Sequence, residues 1–381
     1  MKRRTFLKTA GASAIAGGFF LNASCSKARK PNVILINADD LDFDFIERAY
    51  MENVEFLGLP EEMRTHNMEW VTEGALKFIE QSQDQPFFLY MPLPIPHGQY
   101  FSDWEMGNKL ATPAGMLDKA PDVQPPRQTI FKRLEQHGID KRNAMATWMD
   151  DSVGAVLAKL DELGLAEHTM VIFTSDHQSR GKFTCYEGNR VPFLLRWPGH
   201  VEPGSRIDQI AASVDIAPTC IELAGGTPPE NMSRDGRSFL PLLKEQADGW
   251  RDSLLLECAY IKAVVTPKWK YIANRPPQEV LDKMQAEAQT SAETGEPRRI
   301  GWSGIANWHR QGEGVIYSAV RDFPNYFDKD QLYDLENDPF EQRNLVTDVG
   351  YGETASELKE KLSAFVRDLP HTFGEFGKEA D

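Results

Sequence analysis

The sequence predicts an α/β fold, a mostly parallel sheet sandwiched by helices, followed by a small C-terminal α+β subdomain. Three observations lead there. Unbroken apolar runs of strand length, VILI at 33–36, PFFLYMPL at 86–93, TMVIF at 169–173 and PFLL at 192–195, read as strands buried on both faces. Between them, apolar residues recur at three- and four-residue steps, the pattern of helices packed on a sheet. Past about residue 250 the texture changes to short hairpin-like runs.

Taken in order, NVILINADDLD (32–42) opens with the first strand, and Asp39 and Asp40 stand side by side where it leaves the sheet. Residues 41–85 are mixed, with a helix expected from Asn67 to Gln81. The second buried strand, PFFLYMPL, runs into the Pro-rich PIPHGQY. Residues 102–140 carry Pro113, Pro121, Pro125 and Pro126 and read as loop. The clearest helix is 141–165, where Met145, Trp148, Met149, Val153, Val156, Leu157, Leu160 and Leu163 share one face and Gly164 is the stop. TMVIFTSDH (169–177) and VPFLLRWPG (191–199) are the third and fourth strands of this sheet. LLLECAYIKAVVTPKWKYIAN (254–274) reads as hairpin strands, 276–299 as a short helix and a mobile loop, and LYDLENDPFEQRNL (332–345) follows a long polar insert. The expected division is an export segment at 1–29, an α/β domain at 30–250 and a small subdomain at 251–381.

At 381 residues the chain is long enough for a large core or two domains. Its 41% hydrophobic and 26% charged residues are ordinary for a soluble globular protein. The formal charge is −15, and the first 25 residues carry four bases and no acids, so the body is more acidic still. That argues against nucleic acid or an anionic membrane surface as partner, but leaves room for a small anionic substrate in a locally positive pocket.

The leader KRRTFLK (2–8) and the uncharged, Ala/Gly/Ser-rich stretch Thr9–Ser26 resemble a twin-arginine export signal, with a basic tail as the bland alternative. LNASC (21–25) is similar to a lipoprotein cleavage box, with Asn22 where an aliphatic residue is usual, so a lipid anchor at Cys25 stays open beside simple cleavage. No other stretch is apolar enough to span a membrane. The expected location is the periplasm or cell envelope. Cys185, Cys220 and Cys258 are odd in number and widely spaced, which fits small buried residues better than a disulfide framework or a thiolate zinc site.

Ligands in such sheets sit at the carboxyl ends of strands. Asp39, Asp40, His97, Asp176 and His177 all fall at ends of that kind. Singly, each has a structural explanation: a carboxylate after a strand often caps the next helix, and a histidine in a Pro-rich turn is often bonded within it. Two pairs converging on one sheet edge are different, since three carboxylates and an imidazole repel unless a divalent cation neutralises them. The oxygens favour calcium, magnesium or manganese, while the histidine tilts the site toward softer metals.

In these blocks the chain resembles a type I sulfatase of the alkaline phosphatase superfamily. KPNVILINADDLD is similar to that family's opening strand with its paired metal-binding aspartates, and PFFLYMPLPIPH to the strand presenting an active-site histidine. TMVIFTSDHQSRGKFTCYEGNRVPFLLRWPG is similar to the second metal pair, the substrate lysine and the next strand, and LYDLENDPFEQRNL to the C-terminal segment. The resemblance implies that Asp39, Asp40, Asp176 and His177 bind one cation, calcium in the family. It further implies that Lys182 meets a sulfate oxygen or the leaving oxygen, and that His97 touches the sulfate or protonates the departing alcohol. The implied reaction is hydrolysis of a sulfate ester, R–O–SO₃⁻ to R–OH plus sulfate, and an exported member suggests sulfated polysaccharides as substrates.

One family element has no counterpart. The Cys-or-Ser-x-Pro-x-Arg segment, whose first residue becomes the formylglycine nucleophile, matches nothing between Asp40 and Phe87. That interval holds no Cys, Ser82 is followed by QDQP, and Cys25 and Cys185 are followed by SKAR and YEGN, without the proline. An internal deletion between about 41 and 66 is therefore expected to have removed the nucleophile, its partner arginine and a second lysine-histidine pair. Thr65 is the remaining hydroxyl candidate, and both its neighbours and its distance from Asp40 are wrong. Two other classes stay open at this point: an inactive sulfatase-like protein that binds sulfated glycans, and a phosphate or phosphonate ester hydrolase of the same superfamily. The remaining histidines (66, 137, 168, 200, 309, 371) show no ligand-like pairing for a two-zinc phosphodiesterase.

Overall fold

The computed structural model describes residues 29–39, 67–96, 108–112, 115–178, 184–246, 248–294, 322–367, 369 and 372–376. They form two compact units. The first holds the described residues up to Asp39, those within Glu47–Thr174 and those within Pro192–Asp248; the second holds Ser175–Val191 and those from Gly249 on.

In the first unit, β1 (Asn32–Asp39), β2 (Phe88–Pro96), β5 (Thr169–Ser175) and β6 (Phe193–Arg196) make a sheet of order β2-β1-β5-β6. A two-residue pair, β3 (Ala111–Thr112) and β4 (Gly115–Met116), stands apart. β1 and β2 are parallel, from Val33 opposite Phe88 to Ala38 opposite Leu93. β6 departs from the expected parallel sense and runs antiparallel to β5, Val171 facing Arg196. Among the described residues of the connection there is only a single 3₁₀ turn, Glu187–Asn189, and no helix of the kind that carries a chain back to a parallel start.

α1 (Met68–Ser82) starts where Asn67 Oδ1 accepts the Trp70 N–H at 3.0 Å, and it buries Met68, Thr72, Ala75, Ile79 and Ser82 on one face. α3 (Ala144–Glu162) buries Met145, Trp148, Val153, Val156 and Leu160, the face read from the sequence. It ends as expected at Gly164, whose φ of 65° suits glycine, with the Leu165 N–H returning to the Leu160 carbonyl at 2.8 Å. Residues 102–140, read as loop, contain α2 (Ile130–Gln136), which buries Ile130 and Leu134. Seven residues are too few to be stable or visible as an isolated helix, so tertiary packing makes this one. α4 (Ile216–Leu223) and α5 (Glu230–Asp235) follow β6.

The core of this unit joins Ile34, Ile36, Met91, Leu93, Ile95 and Val171 of the sheet to Ile79, Trp148, Val156 and Leu160 of the helices. β2 is not buried on both faces as the sequence suggested: Phe88 and Tyr90 are 53% and 50% exposed. An apolar run cannot by itself distinguish two covered faces from one. The backbone explains the position. The Val33 N–H donates to the Phe87 carbonyl at 3.0 Å, so odd residues of β2 bond β1 and even residues face the sheet edge. Pro92 and Pro94 fall on that outward phase, where a missing N–H costs nothing and blocks further pairing.

The second unit is built on an antiparallel sheet, β10 (Asp330–Asp334), β9 (Trp269–Asn274), β8 (Ile261–Val265) and β7 (Leu254–Cys258), in that order. α6 (Gln278–Thr294) is longer than the short helix expected there. α7 (Gly352–Arg367) was not read from the sequence, although Leu358, Leu362 and Val366 repeat at four-residue steps. Alternating residues of the sheet feed two cores, one with Val280 and Met284 of α6, the other with Leu358, Leu362 and Val366 of α7. No described helix is long and apolar enough to cross a membrane.

Candidate active site

Parallel strands bring their carboxyl ends to one edge, and β1 and β2 do so with Asp39 and Pro96. Their register jumps after Ala38–Leu93, so that Asp39 pairs with Pro96, the residue before His97. Two residues of β2 are thereby passed over at the strand end, an irregularity of the kind that re-aims side chains beside functional sites. The strand position of Asp39 is described; Asp40, His97, Lys182, Thr65 and Cys25 lie outside the described residues.

Asp176 and His177 leave β5 directly after Ser175. The His177 N–H donates to Asp176 Oδ1 at 2.9 Å, and Ser175 Oγ donates to the His177 carbonyl at 3.0 Å. His177 Nε2 lies 3.3 Å from Asp176 Oδ2, and Nδ1 lies 3.2 Å from the Gln178 carbonyl. The His177 side chain is 15% exposed and the Asp176 side chain 28%, so solvent reaches the pair. One carboxylate oxygen thus faces the ring Nε2 directly, while the other accepts the His177 backbone N–H. Among the described residues no group of three or more His, Cys, Asp or Glu is placed to hold a metal.

The three described cysteines lack the surroundings that activate a thiol for attack. Cys185 is buried, Cys220 and Cys258 are half-buried, and all three are free thiols. Burial raises the Cys185 thiol well above its usual range and pushes Cys258 up to about 12, whereas nucleophilic cysteines are depressed toward the thiolate.

The residues that fix the Asp176–His177 loop escaped sequence reasoning. Gln178 donates its N–H to the Gly188 carbonyl at 2.9 Å, and Tyr186 OH donates to Gln331 Oε1 at 2.6 Å. A contact across 145 positions leaves no local signal in a sequence.

The family model described as Sulfatase matches residues 7–226, more than half of the chain. The ulvan-active sulfatase of Formosa agariphila is 30% identical over 293 residues, covering 73% of this chain and 50% of that protein. The steryl-sulfatase of Rattus norvegicus is 40% identical over 187 residues, 44% of this chain and 28% of that protein. The chain therefore spans about half the length, or less, of these curated relatives. Among solved structures, Ps i-CgsB in complex with k-i-k-neocarrahexaose aligns with a TM-score of 0.52 at 16% identity, over 88% of this chain and 71% of that one. A protein solved with its substrate D-glucosamine-2-N,6-O-disulfate aligns at 0.51 and 16% identity, over 79% and 69%. These likenesses show a common fold, the alkaline phosphatase-like α/β arrangement. With the family match over 7–226, the strand-end acids and this fold together, the chain belongs to the sulfatase family, the type I sulfatases of the alkaline phosphatase superfamily.

Proposed function

We propose that this chain is an exported sulfatase-family protein that engages sulfate esters, with sulfated polysaccharides as the substrate class, through one divalent cation. The ligands are Asp39, Asp40, Asp176 and His177, and the cation is calcium by family. The observation that carries the reading is the Asp176–His177 pair, presented at the end of β5 with a carboxylate oxygen 3.3 Å from a ring nitrogen. Two donors each 2.3–2.6 Å from one ion at a right angle stand about 3.3–3.7 Å apart, so this pair fits the group. When bound, such a cation neutralises the ester's anionic oxygens and polarises the sulfur–oxygen bonds.

Lys182 then sets an ammonium against a sulfate or leaving oxygen, and His97 holds the sulfate or delivers the proton to the departing alcohol. The family reaction turns R–O–SO₃⁻ into R–OH and sulfate. In this chain no Cys or Ser opens the required x-Pro-x-Arg segment, so the covalent step has no attacking residue. The outcome is an ester held and neutralised without turnover, that is, a binder of sulfated glycans on a sulfatase scaffold. Support for the glycan class comes from the likeness to a relative named for activity on ulvan.

Calcium is expected to raise the melting temperature of the purified mature chain by mass action on the folded state. Asp39→Ala combined with Asp176→Ala is expected to abolish that rise, read by differential scanning fluorimetry across a calcium series. An unchanged calcium response in the double variant sinks the ligand assignment.

Export follows from the paired arginines of the leader, which are what the pathway recognises. Arg3→Lys with Arg4→Lys is expected to leave the chain in the cytoplasm on cell fractionation, and normal export of that variant means another route reads the leader.

A further inference from the structure

Asp176 and His177 stand at the start of a loop that is held from its far side. Gln178 closes the outgoing arm on the returning one, through its N–H to the Gly188 carbonyl at 2.9 Å and its side-chain amide to the Arg190 carbonyl. The returning arm is internally tied, Asn189 Nδ2 donating to the Thr184 carbonyl at 2.6 Å. Its root is Tyr186, fully buried, with the ring stacked on Phe323 at 4.1 Å and 11°. The Tyr186 hydroxyl donates to Gln331 Oε1, which also accepts from Tyr333 OH at 2.8 Å, while Gln331 Nε2 donates to the Asp328 carbonyl at 3.0 Å. One residue before, the Cys185 thiol donates to the Ile261 carbonyl at 3.4 Å. All of these residues belong to the same unit as Asp176 and His177.

We propose that Tyr186 and Gln178 are positioning residues for the cation ligands Asp176 and His177. Tyr186 roots the returning arm in the core of the unit, and Gln178 clasps the outgoing arm, with its two ligands, to that root. The proposal rests on the cation reading above and deepens it. The physical reason is preorganisation: two ligands on a loosely held arm must be ordered when the ion binds, and that cost comes out of the affinity. The two parts of Tyr186 separate cleanly. Its ring fills the core, whereas its hydroxyl bond to Gln331 only fixes where the arm stands, so Tyr186→Phe removes the second and keeps the first.

The experiment measures calcium affinity by titration calorimetry on the full mature chain, together with amide hydrogen exchange in the metal-free state. Gln178→Ala and Tyr186→Phe are each expected to weaken calcium binding about tenfold, the usual scale for residues that orient metal ligands. Gln178→Ala is expected to leave the metal-free melting temperature unchanged, which a merely structural residue would lower. In Tyr186→Phe the Gln178 amide is expected to exchange faster. Unchanged calcium affinity in both variants, with wild type binding calcium, overturns this proposal alone. Failure of the wild-type chain to bind calcium overturns the cation reading, and the positioning roles fall with it.

Discussion

Expressed together with a formylglycine-generating enzyme, the chain is expected to release sulfate from an aryl sulfate no faster than its own Lys182→Ala variant, both at background. A sulfate monoester carries its negative charge on the oxygens that surround the sulfur, so an ordinary nucleophile is repelled. Both an activated attacking group and positive clamps are needed to bring the barrier down. On the function proposed above, the cation, His97 and Lys182 would supply the clamps and the acid. The sequence contains no Cys-or-Ser-x-Pro-x-Arg segment, and loss of a covalent nucleophile costs on the order of 10⁶ in rate where it has been measured in a hydrolase. Positioning and electrostatics alone leave a small remainder. Cys185 and Cys258 do not fill the gap, because burial holds both as thiols. Turnover well above background and dependent on Lys182 would show that an attacking residue exists elsewhere in the chain, with Thr65 the first to mutate.

The largest stability effect is expected at a buried ion pair that joins α1 to the helix layer. Arg127 is fully buried and grips Glu69 of α1 with two parallel hydrogen bonds, Nε to Oε1 at 2.9 Å and a terminal nitrogen to Oε2 at 2.7 Å. Its guanidinium lies 4.6 Å from the centre of the Trp148 ring, itself in the core of α3. Arg127→Met strands the Glu69 carboxylate in a site closed to water, which is expected to cost about 3–5 kcal/mol. Glu69→Leu with Arg127→Met removes both charges and is expected to recover most of that loss. Urea denaturation of the two variants decides it. A single-variant loss under about 1 kcal/mol, the range of an exposed pair, or a double variant as unstable as the single one, contradicts this account of the interface.

The candidate site was legible in part, and the division has a physical basis. Apolar runs that end in charge mark strand ends, a local pattern, and the structure accordingly ends β1 at Asp39 and places Asp176 and His177 directly after β5. The 3.3 Å approach of Asp176 and His177 was not legible, since it depends on side-chain rotamers, on the bond from Ser175 Oγ to the His177 carbonyl and on the pairing of His177 Nδ1 with the Gln178 carbonyl. The Tyr186–Gln331 bond was out of reach for a different reason: a tyrosine in an apolar setting reads as core, and nothing nearby announces its partner.

Elements with strong short-range signals were determined by the sequence itself. The buried face of α3 from Met145 to Leu160, its glycine stop, the start of α1 beside Asn67 and the three strands within 254–274 all follow from spacing and local chemistry. Tertiary structure alone decided the order β2-β1-β5-β6, the antiparallel sense of β6, the exposed face of β2 and the register jump that sets Asp39 opposite Pro96. It also decided that Ser175–Val191 groups with the C-terminal residues. Each of these depends on contacts between segments far apart in the chain. Their free energy comes from packing and loop closure, which periodicity within a segment does not carry.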